Sequence, residues 1–338
     1  MKKVCGVVFC ILVVTVLSSV IFAQEKNYRV EVLQVTAIEP YQQAYDYFFN
    51  ELEQNGIIEG KNLSVNRAII DFDVEKGGLW SKIGVLMRIK KEASRIVDAQ
   101  PDLVLTIGTP ATKYSRDKIT DAGIPLVFTA VAIPEAAGCP SLTDAGKGCT
   151  GATLYMNMKD ALQIVKLAFP EITTVGIVHS DDDNAVAHVE EAKKYAPEVG
   201  ITFLSKEVGK SDPIAPGVTE LLGQGAQAFA VPLDTYYGLR GYEAPKELMK
   251  ISLEKQIPVI SFALMKVPGA LLYIGSHFGT IGSLSGQQAV KILKDSTDPS
   301  ILPILKQDDL KILVDTKQLT ALNMQLPMEI LQLAEAVQ

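Results

Sequence analysis

Asp102-Leu-Val-Leu-Thr-Ile-Gly-Thr109, followed by Pro110, is a short apolar run that breaks at glycine and opens at once into helix-starting sequence. A run of this kind, bounded by Pro101 and Gly108, reads as a strand covered on both faces of a parallel sheet. It has a counterpart of the same type in Gln227-Ala-Phe-Ala-Val-Pro-Leu-Asp234. The next strand is duplicated as well: Gly123-Ile-Pro-Leu-Val-Phe128 matches Gln256-Ile-Pro-Val-Ile-Ser261. One pattern is used twice.

Outward from the first copy, strand-like Arg29 to Thr36 precedes a helix opened by Pro40, with apolar positions Ala44, Tyr45, Phe48, Phe49 and Leu52 at helical spacing and Gly56 as its stop. A strand over Leu63 to Ile70 and a helix from about Lys82 to Ala99 lead to Leu103–Ile107. Outward from the second copy come strand Thr174 to His179, helix Asn184 to Tyr195, strand Ile201 to Ser205 and helix Val218 to Leu222. Strands alternating with helices predict an α/β fold with parallel sheets. A single doubly wound domain would need ten or more strands in one sheet, about the limit for open sheets. Two Rossmann-like lobes are the better expectation, with lobe 1 as residues 28–150 plus about 277–304 and lobe 2 as 151–276 plus about 305–325. The chain crosses between them near Gly148–Asn157, Leu271–His277 and Pro303–Leu313, so a multi-strand hinge joins the lobes.

Lys2 and Lys3 precede an apolar run from Val4 to Leu17, then Ser18, Ser19 and a small residue, Ala23, where apolar character ends. This is the layout of a cleavable signal peptide, residues 1–23, rather than of an uncleaved anchor, and it implies a periplasmic or otherwise extracytoplasmic protein. No cysteine stands at the end of the run to carry a lipid. Without Lys2 and Lys3 the net charge moves from −7 to −9. An acidic chain with no basic run excludes nucleic acid as the main partner. Of four cysteines, two go with the leader. Cys139 and Cys149 remain, flanking a segment of turn residues, and in an oxidising compartment the expectation is a disulfide clipping a surface loop, against two unpaired thiols as the alternative.

Enzyme signatures fail on inspection. Gly282-Ser-Leu-Ser-Gly286 has leucine where a nucleophile elbow needs its serine. Gly223-Gln-Gly-Ala-Gln-Ala228 has dinucleotide-like spacing but follows a helix and precedes a strand, the reverse of the required order. His179, His188 and His277 form no short-spaced metal pair. No cofactor or metal is expected. Asp181-Asp-Asp183 invites a calcium site, yet the calcium-loop spacing with its distal glutamate is absent, and aspartates at a helix start read as solvated partners of the helix dipole. At Gly108-Thr-Pro-Ala111, Thr109 suits an N-cap and Pro110 the first helical turn, leaving N–H groups that favour an anion; a capped helix with nothing bound is the plain alternative.

Several motifs in order carry a resemblance: Glu59-Gly-Lys-Asn62, Pro101-Asp-Leu-Val104, Gly108-Thr-Pro-Ala111, Ile124-Pro-Leu-Val-Phe128 through Ala130-Val131 to Pro134, and Cys149-Thr-Gly151. Pro258-Val259, Gly269-Ala270 and Leu310-Lys-Ile-Leu-Val-Asp-Thr316 continue it. From about Tyr28 to Met324 the chain resembles the ABC transporter substrate-binding proteins of the type I periplasmic-binding fold, in the branch that includes aromatic amino acid binders. The resemblance implies a non-enzymatic, monomeric protein that closes on a small carboxylate-bearing or amino acid-like ligand and delivers it to a membrane permease; a ligand sensor presenting its closed form to a membrane kinase or receptor is the alternative. It implies a ligand contacted by Tyr41, Gly108, Thr109, Pro110, Thr129, Ala130 and Val131 in lobe 1. His179, Asn184, Asp234, Thr235 and His277 complete the set. Two acids that relatives use for an α-ammonium group are replaced by Ile133 and His277, which weakens the amino acid expectation unless Asp234 substitutes. His277 is read equally as a ligand contact and as a structural histidine.

Overall fold

The computed structural model describes residues 26–71 and 79–337, so the signal peptide expected at 1–23 lies outside the described residues. In the first half, β1 (Tyr28–Val35), α1 (Glu39–Gln54), β2 (Leu63–Ile70), α2 (Leu79–Ala99), β3 (Leu103–Ile107), α3 (Thr109–Asp121), β4 (Leu126–Val131) and β5 (Cys149–Thr153) build lobe 1. All five residues of β3 and all six of β4 are buried, as strands with helices on both faces must be. In the second half, α4 (Met158–Ala168), β6 (Thr174–His179), α5 (Asp183–Tyr195), β7 (Thr202–Glu207), α6 (Ala215–Gly223), β8 (Ala228–Val231), α7 (Glu243–Lys255), β9 (Val259–Ser261) and β10 (Leu272–Gly275) build lobe 2. The chain ends with α8 (Phe278–Asp295), β11 (Leu305–Lys306), β12 (Lys311–Val314), α9 (Thr316–Ala321), α10 (Met328–Leu333) and β13 (Glu335–Ala336).

The first sheet runs β11-β5-β4-β3-β1-β2 and the second β13-β12-β10-β9-β8-β6-β7. Numbered within each lobe, the first five strands take the same order, 2-1-3-4-5, so the sequence repeat is a topological repeat. Among the described strands the one antiparallel pairing is β10 with β12, and β13, parallel to β12, runs with it against the rest of the second sheet. The chain passes between sheets after β5, after β10 and between β11 and β12. In an order of this kind the switch point lies beyond the carboxyl ends of strands 1 and 3, which places the loops after β1, β3, β6 and β8 around one cleft.

After the second crossing, α8 packs on α1 of lobe 1. A Cβ on Gly282 would stand 2.2 Å from the carbonyl oxygen of Ala44, and one on Gly286 2.6 Å from the side chain of Glu51. The glycines of the elbow-like motif therefore let two helix backbones meet, and Ser285 between them donates to the Phe128 carbonyl at 3.0 Å. One buried cluster fills lobe 1 between its sheet and α2 and α3, and another fills the outer side of lobe 2. A third is continuous across both lobes, from Val32 and Phe48 through Tyr41 and Phe278 to Val231 and Leu248.

Cys139 and Cys149 are both buried and unbridged, which corrects the expected disulfide. The loop between them is held without a clip: Ser141 N donates to the Asp144 carbonyl, Gly148 N to Ser300 Oγ, and Ile304 N to the Thr143 carbonyl. Both thiols sit in the apolar cluster with Val104, Leu126 and Ile304. Burial pushes the Cys139 thiol up to about 11, and Cys149 higher still.

Candidate functional site

At the end of β3 the expected cap is displaced by one residue. Gly108 is the N-cap of α3, with φ +87, and Thr109 is the first helical residue. Glycine is required twice over: that φ disfavours a Cβ, and a Cβ there would lie 2.7 Å from the hydroxyl of Tyr41. Thr109 is thereby free to reach the other lobe, and its hydroxyl donates to Asn184 Oδ1 at 2.5 Å. The same oxygen accepts from Ala132 N at 3.4 Å. Two residues earlier in that strand end, Ala130 holds φ +56, a left-handed conformation unusual for a residue with a Cβ. Beside it the hydroxyl of Thr129 is buried with no hydrogen-bond partner. Strained backbone next to an orphaned hydroxyl is the kind of irregularity that collects at ligand sites.

Lobe 2 meets this neutral surface with charge. Asp234, after β8, accepts from Ser180 N at 2.6 Å, Ser180 Oγ at 2.7 Å and Tyr236 N at 2.9 Å. Asp182 caps α5 by accepting from Asn184 N at 3.0 Å, and its other oxygen accepts from Thr235 Oγ1 at 2.8 Å and Lys210 Nζ at 3.2 Å. Asp182 is 4% exposed, so the middle aspartate of the run is not the solvated residue the sequence suggested. Burial alone would raise its pKa, but the Lys210 ammonium, the Thr235 hydroxyl and the Asn184 amide outweigh burial and hold the carboxyl below its ordinary value. Asp234 is pushed up, by burial first and then by the neighbouring Asp182 charge. Burial holds the His188 imidazole down at about 4, hence neutral, against the opposing pull of Asp182. Tyr41 is raised above its usual range by burial and by both aspartates.

The outer two aspartates hold the lobes together. Asp181 pairs with Lys82 of α2, and Asp183 with Lys113 of α3 at 2.8 Å. Each of the three consecutive carboxylates thus has its own lysine, and two of these come from the opposite lobe. Among the described residues no three His, Cys, Asp or Glu side chains converge as a metal site.

Tyr41, Ala130, Asn184, Asp234 and Thr235 line one shared space with Ile38, Leu154, Leu233, Met265 and Phe278. Its volume is about 20 Å³, room for one water, so a ligand seated there requires the lobes to part. A second space of about 350 Å³ lies under α2, between Pro110 and Thr36 of lobe 1 and Asp181, Asp182, Asp183 and Lys210 of lobe 2. Other sequence candidates fall outside both. Val131 packs into the core of lobe 1 with Phe128 and Ile304. His179 turns its Nδ1 to the carbonyl of Ser180 at 2.8 Å. His277 occupies the N-cap of α8, and its backbone N–H donates to Gln307 Oε1 across the hinge at 3.1 Å. Lys210 was missed because it sits in the Gly209–Asp212 turn, where no periodicity or motif marks it. Asp182 stood inside the aspartate run, but which of the three turns inward is not a property of the run.

The family of ABC transporter substrate binding proteins matches residues 30–338. The chain is 25% identical to a tyrosine-binding protein of Clostridioides difficile over 281 residues, 82% of this chain and 76% of that protein. It superposes with a TM-score of 0.78 and 21% identity on the ABC domain of a Streptococcus pneumoniae protein in complex with L-Trp, covering 93% of this chain and 100% of the other. With a TM-score of 0.68 and 25% identity it also superposes on the ligand-free, open structure of a substrate-binding protein with adhesive properties from Clostridium difficile, covering 92% and 99%. The repeated 2-1-3-4-5 lobes, the cleft at their strand ends and the match over nearly the whole described chain place this protein in the ABC transporter substrate-binding family.

Proposed function

We propose that the protein is an extracytoplasmic receptor that closes on an α-amino acid and delivers it to an ABC transporter permease. The observation that carries this is the pair of buried carboxyls in the cleft: Lys210 pairs with Asp182, while Asp234 is held by neutral donors of Ser180 and Tyr236. A buried carboxyl whose pKa is raised by burial and by a neighbouring carboxylate favours a cationic group on its ligand. The α-ammonium fits that requirement. Across the cleft, the N-terminus of α3 and the partnerless Thr129 hydroxyl offer donors to a carboxylate. Asp182 and Asp234 would then do the work of the acids replaced by Ile133 and His277.

In this reading residues 28–150 with 277–304 form one half of the clamp and 151–276 with 305–325 the other, in a monomer. The ion pairs Lys82–Asp181 and Lys113–Asp183 belong to the closed state that a permease engages. The reading is tested by thermal unfolding of the mature protein with L-tyrosine, L-tryptophan, L-glutamate, succinate and D-ribose. At a hundredfold excess over Kd a ligand adds about 2.7 kcal/mol, a clear rise in Tm. An amino acid is expected to give that rise and succinate none; a rise with succinate or ribose alone would remove the ammonium from the argument.

A further inference from the structure

We propose that the outer groove between α2 and α3 of lobe 1 docks an acidic polypeptide segment of a partner protein, and that docking draws Lys113 away from lobe 2. The proposal is independent of what the cleft holds. Met87, Lys90, Lys91 and Ser94 recur at the three- and four-residue spacing that lines one face of α2. Lys113, Tyr114, Asp117 and Lys118 share a face of α3, and the two faces border a groove of about 510 Å³. Lys118 Nζ donates to Ser94 Oγ across it. Four lysines thus share the groove with one aspartate, and Asp117 already accepts from Arg116. In a chain whose net charge is negative, this local excess of positive charge is the exception. Ammonium groups crowded on one surface repel one another, and an acidic partner turns that repulsion into attraction and speeds encounter. Met87, 62% exposed, and Tyr114, 38% exposed, stand among them, and both are residue types that interfaces favour. A concave site with such side chains suits a polypeptide segment, which can enter it as a flat lipid surface cannot.

Lys113 ties the groove to the clamp. It borders the groove and also pairs with Asp183 of lobe 2 at 2.8 Å, an ion pair that joins the lobes. Carboxylates of a docked segment compete with Asp183 for the same ammonium. Docking therefore loosens the closed clamp from outside the cleft, and by linkage closure weakens docking.

Calorimetry on the ligand-free mature chain, with a synthetic peptide of alternating glutamate and tyrosine as probe, tests this. The peptide should bind and the same peptide with glutamine for glutamate should not, and added salt should weaken binding. Lys90→Glu with Lys91→Glu, both exposed, should weaken it at least about tenfold and leave thermal unfolding unchanged. Asp183→Asn should tighten the peptide about twofold to fivefold by leaving Lys113 to it. Asp181→Asn, whose partner Lys82 lies outside the groove, should change it by less than about twofold. Docking is overturned if the peptide does not bind, or if the double lysine variant binds it as the wild type does. Binding to phosphatidylglycerol vesicles in place of the peptide, lost in the same variant, would give the groove to a membrane instead. Equal effects of the two asparagine variants would refute the link through Lys113.

Discussion

The two lobes share a strand order and a position for their cleft loops, yet they line the cleft with opposite chemistry. After β3, a glycine turn leads into a 13-residue helix whose first N–H groups face the cleft and whose first side chain, Thr109, is neutral. After β8, the corresponding Asp234 caps a short turn of its own, Thr235–Gly238, and consumes the donors that lobe 1 leaves free. Lobe 1 is held together by backbone proximity at Gly282 and Gly286 and by apolar packing of α2. Lobe 2 carries buried ions at its cleft edge. A fold repeated twice has thus become an asymmetric clamp, one jaw supplying dipoles, the other fixed charge.

The contrast is broken most severely by Lys210→Met, which leaves Asp182 buried without its cation. Removing one partner of a buried pair costs about 3–5 kcal/mol, and urea unfolding should show a loss of that size. Adding Asp182→Asn to it should restore at least half. A loss below about 1 kcal/mol would mean that the lobe 2 charges are solvated and the jaws are alike.

The next effect is a pH dependence centred on lobe 2. His188 is 3% exposed, and its Nδ1 accepts from Leu233 N at 3.5 Å. Its pKa falls from 6.5 to about 4 on folding, so between these values the unfolded chain binds the extra proton and the native one does not. Stability therefore rises with pH across this window; the contribution is complete above about 6.5 and declines as pH falls towards 4, by about 3 kcal/mol in all. Denaturation at several pH values should show that slope, and His188→Gln should flatten it.

Lobe 1 should answer to volume instead of charge. Gly282→Ala drives a methyl into the Ala44 carbonyl and should cost about 1–3 kcal/mol with no pH or salt dependence. Gly84→Ala on α2, where a Cβ meets nothing within 4 Å, should be neutral or stabilising by up to about 1 kcal/mol. Equal effects at the two glycines would show that the α1–α8 seam is not close-packed.

The smallest effect tests the contact between the jaws. Asp183→Asn removes its pair with Lys113, both about one-third exposed, and pairs of this kind are worth about 0.2–1 kcal/mol. Affinity for whichever amino acid raises Tm in the thermal screen should drop about twofold to fivefold at low salt, through faster release, and the difference should vanish at high salt. A salt-independent drop would mean that Asp183 touches the ligand instead of holding the lobes.

The repeat was readable because buried parallel strands have a strong signature: Leu103–Ile107 and Thr174–His179 stand where the sequence placed them. Helix α7 went unnoticed because its buried positions, Ala244, Pro245, Leu248 and Ser252, include too few large apolar residues to form a stripe. Thr109, Asn184 and Asp234 were legible as residues at strand ends. That Thr109 bonds to Asn184 instead of capping its own helix was not, because the choice depends on Tyr41 closing over Gly108 from another element. The cysteines show the same limit: spacing and compartment favoured a bridge, while the hydrogen bonds of residues 141–148 and the apolar cluster around both thiols made one unnecessary.

By itself the sequence determined the two α/β lobes, the three crossings and the strand ends where a ligand can sit, since these follow from local periodicity and from the turn residues that interrupt it. Only the tertiary structure decided which aspartate of 181–183 turns inward, which lysine meets it and which wall of the cleft is charged. Those depend on side chains from separate elements competing for the same buried space, and the free energy of a buried charge is set by partners that sequence distance does not encode.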